Sequence, residues 1–254
     1  MTYMPLATLQ AFTTAYNESD LFGKLIILSL IFLSVACWIV LSYKMWQTKK
    51  VKEISLSFQK ELIKHSEHLL GIDLKHLPAP SHERIPHPFA CIFEATKHKT
   101  LEILNKKKFF LEKYQSEKHS PLNIYLSSTD LELLENHAYM AISMQNKILE
   151  KDLFVLSTIV TLAPFLGLLG TVWGILVTFS ELQGGGSAGS NSAIIGGLST
   201  ALSTTVLGLV IAIPALVGYN YLKNGLKGFS SDMEHFLQNM LSTLEMQYRK
   251  VDIS

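Results

Sequence analysis

The sequence predicts an all-α integral membrane protein with three transmembrane helices, two of them extended into a cytoplasmic helical bundle. Three observations carry that expectation. The 254 residues are 48% hydrophobic and only 17% charged, with a mean hydropathy of +0.25, which is too apolar for an ordinary soluble chain. Three windows lack charge altogether. The segments between them repeat apolar residues at three- and four-residue steps, the period of a helix. The formal charge is +1, from Lys+Arg 22 against Asp+Glu 21, so the net balance points to no nucleic acid and no acidic substrate. Cys37 and Cys91 lie far apart in unlike surroundings and cannot make a disulfide framework. A soluble enzyme and a stapled secreted domain are both excluded.

Residues 1–24 read as a periplasmic N-terminal segment. They carry Glu18 and Asp20, with no basic n-region and no A-x-A site behind the apolar run, so the segment after them is a retained anchor and not a cleaved signal. The first span is 25–43, bounded by Lys24 and Lys44, and as a helix it reaches about 28 Å. Cys37 within it reads as a buried small hydrophobe. Residues 44–152 follow as a cytoplasmic helical region, in which Val51, Ile54, Phe58, Leu62, His65 and Leu69 form one stripe. Leu77 to Pro88 holds four of the eight prolines and reads as a loop. A weaker stripe, Phe89, Ile92, Phe93, Ile103, Phe110 and Tyr114, comes after it. A third, Leu134, Ala138, Ala141, Met144 and Ile148, runs into the second span, 153–180. A periplasmic loop, 181–193, contains the turn-like Gly184 to Ser192, GGGSAGSNS. The third span is 194–222, and its exit stripe, Phe229, Met233, Phe236, Met240, Leu244 and Tyr248, marks a cytoplasmic C-terminal helix over 223–254.

Orientation follows from lysine and arginine, which are retained on the cytoplasmic side. Lys24 is the one basic residue before the first span and the loop 181–193 has none, whereas Lys44, Lys49, Lys50 and Lys52 follow the first span at once. The N terminus is therefore expected outside, the C terminus inside, and both cysteines reduced.

No enzyme signature is present, and no catalytic residue is assigned. The histidines 65, 68, 76, 82, 87 and 98 with Cys91 lack the paired spacing of a zinc site, so neither metal nor cofactor is expected. The informative residues lie in the second and third spans, where eleven of the fifteen glycines fall between Gly167 and Gly218. Ala163, Gly167, Gly170 and Gly174 make a small-residue face, and such faces let helix backbones approach closely in lipid. Pro164 and Pro214 sit inside spans, each removing a backbone hydrogen bond. With Gly208, these are the expected helix-packing residues. Three spans are too few to bury all of this, so a homo-oligomer is expected.

Hydroxyls are the second signal: Thr171 in the second span, and Ser199, Thr200, Ser203, Thr204 and Thr205 in the third. Such a stripe either bonds its own backbone or lines a wet path, and six hydroxyls in two glycine-rich spans favour the path. No Asp, Glu, Lys, Arg or His lies in any span. Threonine does not titrate near neutral pH, so a carboxylate that exchanges protons here must come from another polypeptide.

The runs Ala163 to Gly174 (APFLGLLGTVWG) and Gly196 to Pro214 (GGLSTALSTTVLGLVIAIP) resemble the two signature spans of the MotA/TolQ/ExbB proton channel family. The three-span layout resembles its TolQ/ExbB branch, and Leu25 to Trp38 after Lys24 looks slightly more like TolQ. The resemblance implies an inner-membrane pentamer of this chain around a pore. The pore would hold a single-span TolR- or ExbD-like partner whose intramembrane aspartate takes up and releases protons, driving a TolA- or TonB-like protein in the service of outer-membrane integrity or uptake. It also implies that Thr171 and Thr205 line the ion pathway. Thr200 is placed there too, at the position where the family usually has a glutamate. That departure keeps a second class open, a non-conducting membrane scaffold. A substrate transporter lacks the inverted repeat it would need.

Overall fold

The structure, a computed structural model, describes residues 16, 19–64, 66–72, 85–114, 125–183 and 190–248. Five α-helices and one short 3-10 helix carry the described chain, and no strand occurs among the described residues. They are α1 (Leu21–Lys64), a 3-10 turn (Ser66–Gly71), α2 (Pro88–Tyr114), α3 (Ser128–Glu150), α4 (Leu153–Gln183) and α5 (Ser190–Tyr248). Three of them, α1, α4 and α5, are long and apolar enough to cross a membrane. Most of the Leu77 to Pro88 loop, with His76 and His82, lies outside the described residues, as do His65, the glycines 184–186 and 189, and nearly all of the first 18 residues.

The two helices that run on without interruption from an apolar into a charged segment are α1 and α5. The second span differs from the sequence expectation of one rod, because α3 stops at Glu150 and α4 restarts at Leu153, with Lys151 and Asp152 in a turn. Asp152 places a negative side chain at the N-terminus of α4, where the helix dipole favours it, and its carbonyl accepts from Val155 N–H at 3.2 Å. At the other end α4 continues to Gln183, and α5 begins at Ser190, inside the stretch expected as loop.

The chain divides into two compact units: residues 1–44 with 152–222, and residues 45–151 with 223–254. In the second unit the core is aromatic and sulfur-rich. Phe89 of α2 stacks on Phe236 at 4.5 Å and on Phe229 at 5.8 Å, both from α5, while Phe58 of α1 meets Phe93 edge-on at 6.0 Å. In the stripes of α1 and α5, Val51, Phe58 and Leu62 and Phe229, Met233, Phe236, Met240 and Leu244 are buried as their spacing predicts, whereas Ile54 and Tyr248 are half-buried. On α3 the expected stripe is corrected. Leu134 and Ala138 are buried, but the face then continues through Ile142, Gln145 and Leu149, whereas Met144 and Ile148 are exposed. Two apolar stripes with the same period lie side by side on α3, and periodicity alone cannot say which one its neighbours cover. The weaker α2 stripe is buried at Phe89, Ile92 and Phe93 and exposed at Phe110.

The start of α3 is built by a capping box, in which Ser127 and Asp130 satisfy each other's backbone N–H groups. Asp130 also pairs with Lys107 of α2. Burial alone would raise its carboxyl; the hydrogen bonds from Lys107 and from the Ser127 N–H and hydroxyl outweigh that and hold it below the usual carboxylate range.

Candidate functional site: the α4–α5 seam

In the first unit α1, α4 and α5 lie together, and two polar contacts pin α1 to α4. At one end Asp20 caps α1, its Oδ1 accepting from Gly23 N–H at 2.9 Å, while its Oδ2 accepts from the Trp173 indole N–H at 2.9 Å. Phe22 packs on the same indole at 4.5 Å. At the other end Lys44, 2% exposed, pairs with Asp152 at 3.0 Å. Asp20 and Lys44 stand 24 residues apart, about 36 Å along a helix. That brackets the roughly 30 Å hydrocarbon layer of a bilayer. Between the clamps α1 buries Ile26, Ile27, Leu30 and Leu41, whereas α4 and α5 meet mostly through small residues.

Helices α4 and α5 run antiparallel along one seam, and the missing Cβ atoms of glycine allow it. A Cβ on Gly208 would stand 2.6 Å from the Ala163 carbonyl oxygen, and one on Gly167 would stand 2.9 Å from that of Thr204. One on Gly170 would lie 2.5 Å from Thr204 Oγ1, and one on Gly174 2.8 Å from Ala201 Cβ. Gly197 makes room for Thr178. As numbers rise on α4 from Ala163 to Thr178 they fall on α5 from Gly208 to Gly197, over about 22 Å of helix. Of the other packing residues expected from sequence, Pro164 lies half-buried inside α4, and Pro214 lies inside α5 and is exposed.

At the middle of the seam the hydroxyls gather on two backbone carbonyls. Thr171 Oγ1 lies 3.1 Å from the Gly167 carbonyl and 3.2 Å from that of Ala201, and its hydroxyl pairs directly with that of Thr205. Thr205 Oγ1 lies 3.0 Å from the Gly167 carbonyl. Thr204 Oγ1 lies 2.7 Å from the Ala201 carbonyl and 3.3 Å from that of Gly167. Three hydroxyl protons therefore face six oxygen–oxygen contacts. A hydroxyl has one proton and two lone pairs, so the cluster has unused acceptor capacity. It can receive a further donor from water or from a protonated carboxyl.

Of the three residues expected in the ion pathway, the structure joins Thr171 to Thr205 and leaves Thr200 out of that pair. Thr200 is 8% exposed, and its hydroxyl has no hydrogen-bond partner among the described residues. Sequence reasoning did not single out Thr204, Thr178, Gly197 and Ala201 as seam residues, or Asp20 with Trp173. The first four were within reach of the sequence, since pairing the Ala163–Gly174 face with an antiparallel α5 leads to them. The Asp20–Trp173 contact, across 153 positions, has no local signal.

These features define a class, a multi-pass α-helical membrane protein in which two spans are joined backbone to backbone around a hydroxyl cluster. The chain belongs to the MotA/TolQ/ExbB proton channel family, whose sequence profile matches residues 103–235, just over half of its length. It is 42% identical over 99 residues to the biopolymer transport protein ExbB of Helicobacter pylori strain J99, covering 39% of this chain and 64% of that protein. To ExbB of Aquifex aeolicus it is 40% identical over 100 residues, again 39% and 64%. To the Tol-Pal system protein TolQ of Haemophilus influenzae it is 32% identical over 108 residues, or 42% of this chain and 47% of TolQ. The chain thus spans less than two thirds of these relatives, and both branch names occur among them.

Proposed function

We propose that this chain is the channel-forming subunit of an inner-membrane complex that converts the proton motive force into mechanical work. The observation that carries the reading is the Thr171–Thr205 pair on the Gly167 carbonyl, in spans that hold no Asp, Glu, Lys, Arg or His. An acceptor-rich cluster without a carboxylate is half of a proton site. The other half is the aspartate of a single-span TolR- or ExbD-like helix, whose protonated form donates to the cluster and whose ionised form does not. Two thirds or more of each apolar window lies outside the chain's own core, with 28%, 33% and 33% buried. That surface fits lipid on one side and further copies of the chain, five by family resemblance, on the other. The lysine count sets the N terminus in the periplasm and the C terminus in the cytoplasm. One charge crossing 100 mV supplies about 2.3 kcal/mol, enough for a few protons to reset packed helices against each other and to drive a TolA- or TonB-like protein.

A specific observation favours the second reading. Thr171, Thr204 and Thr205 all bond within the chain, as they would in a non-conducting scaffold. Proton flux into liposomes under an imposed potential separates the two. Flux with the partner, absent for the chain alone and for a partner lacking its aspartate, supports the motor. Absence of flux from an assembled complex supports the scaffold.

A further inference from the structure

The hairpin of α4 and α5 outreaches α1. The two clamps hold α1 beside α4 from Asp152 to Trp173, the length that brackets a bilayer, and α4 runs on past Trp173 to Gln183, about 15 Å further. On α5, Ala201 stands opposite Gly174, so the start of that helix accompanies the extension. The extension is packed as closely as the seam below it. Thr178 is buried, donates to the Gly174 carbonyl at 2.8 Å and fills the gap that Gly197 leaves. Its outer surface is apolar all the same: Leu176, Phe179, Leu182, Ile195 and Leu198 are 39–69% exposed, and Glu181 is the single charged residue from Gly174 to Ala201.

The exposed stripe of α1, through Leu25, Leu28, Phe32 and Ile39, stays between the clamps, where lipid covers it. The exposed stripes of α4 and α5 run on without a break, from Val172 to Leu176 and Phe179 and from Leu202 to Leu198 and Ile195. One hydrocarbon layer of about 30 Å cannot cover them from end to end. Tilting absorbs excess length, but here it would tilt the clamped α1 as well and leave that helix short. A contiguous apolar patch in water marks an interaction site.

We infer that this tip docks on the α4–α5 tip of a second copy of the chain, so that the copies form an apolar collar just outside the bilayer. Length selects this occupant. The covering surface must be apolar inside the bilayer and for about 15 Å beyond it, and among the described helices only the α4–α5 hairpin has that reach, since α1 begins level with Trp173. Copies related by an axis along the membrane normal stand at equal height, so overrun meets overrun. The apolar side chains lie on both helices, which suits the head-to-tail contact of a closed ring. With one carboxylate and no Lys, Arg or His from Gly174 to Ala201, the tip offers an ionic partner little to pair with, and a copy of itself little charge to bury. The collar rests on the assembly of copies proposed above and is independent of proton conduction.

The test is nitroxide labelling of Leu176→Cys and Leu198→Cys, each alone in the full chain with Cys37 and Cys91 replaced by alanine, in bilayers and without any partner protein. Phe32→Cys on α1 is the lipid-facing reference. Collision rates with both oxygen and a water-soluble nickel chelate are expected several-fold below those of lipid- and water-facing sites, with spin–spin broadening that disappears on dilution with unlabelled chain. Oxygen access at the tip equal to that at Phe32 means that lipid covers it, and free nickel access means that water does; either overturns the inference. Low access without broadening overturns it too, since something other than a copy is then the cover. Cross-linking through surface lysines in the same bilayers separates the two failures: an oligomer with an uncovered tip overturns the collar and leaves the assembly standing, whereas a monomer overturns both.

Discussion

The aromatic core of the second unit and the α4–α5 seam of the first are packed in opposite ways. In the second unit, whose surface carries most of the charged residues, Phe58, Phe89, Phe93, Phe229 and Phe236 meet ring to ring and Met233 and Leu244 fill the gaps. Along the α4–α5 seam of the apolar first unit the contacts run through glycine, alanine and threonine, with Phe165 and Phe179 pointing outward, while aliphatic side chains such as Leu30, Leu156 and Ile159 fill the rest of its interior. The difference follows from the solvent. In water, burying a large side chain is worth about 1.5–3 kcal/mol. In lipid the same burial gains little, and helices are held by close backbone approach and by hydrogen bonds.

Breaking the contrast starts with the largest effect. Phe236→Ala should destabilise the second unit by about 3–5 kcal/mol, measured as lost hydrogen-exchange protection in α2 and α5 of the full chain. The outward Phe165→Ala should cost well under 1 kcal/mol. A comparable loss at both positions would mean that solvent does not set the packing style. Next comes Gly208→Ala, whose new methyl meets the Ala163 carbonyl at 2.6 Å. Ala improves helix propensity by about 1 kcal/mol, but the obstructing atom is backbone and cannot rotate away. A net loss of about 1–3 kcal/mol is expected, as for an overpacked core, seen as reduced thermal stability in detergent.

Asp130→Asn should cost about 1–2 kcal/mol, typical of a lost helix cap, together with the Lys107 pair. The same group gives a pH dependence. Its folded-state pKa lies below the unfolded value of about 3.9, so its contribution is complete above that value and disappears as pH falls through the lower folded one. In the asparagine variant this acid limb of the unfolding curve should flatten. Thr171→Val is the smallest in stability, about 0.6 kcal/mol and at most about 1.7 for a membrane hydrogen bond, and the sharpest for function: assembly is retained and partner-dependent proton flux is abolished. Full flux in that variant would remove Thr171 from the pathway.

Much of the architecture was legible in the sequence because its causes are local. A charge-free run of about 20 residues has no low-energy structure in a bilayer except a helix, so the three apolar helices follow from composition. The stripes of α1 and α5 in the second unit follow from period. The α4–α5 seam was half legible: the small face on α4 and the hydroxyls on α5 are sequence facts, but their register depends on which α5 residues descend past Ala163 and Gly174. The turn at Lys151 and Asp152, and the choice of Ile142 and Leu149 over Met144 and Ile148 as the inner face of α3, are set by neighbouring helices.

What the sequence by itself determined is thus the number of apolar spans, the absence of Asp, Glu, Lys, Arg and His within them, and the residue types able to bring backbones together. Tertiary structure alone decided that Asp20 closes on Trp173 and Lys44 on Asp152, that Thr171 meets Thr205 over the Gly167 carbonyl, and that the Thr200 hydroxyl is enclosed with no hydrogen-bond partner among the described residues. The physical reason is the range of the forces. Hydrophobic length and helix period act over a few neighbouring residues, whereas a hydrogen bond is made only at about 3 Å, and folding alone brings groups 30 to 153 positions apart to that distance.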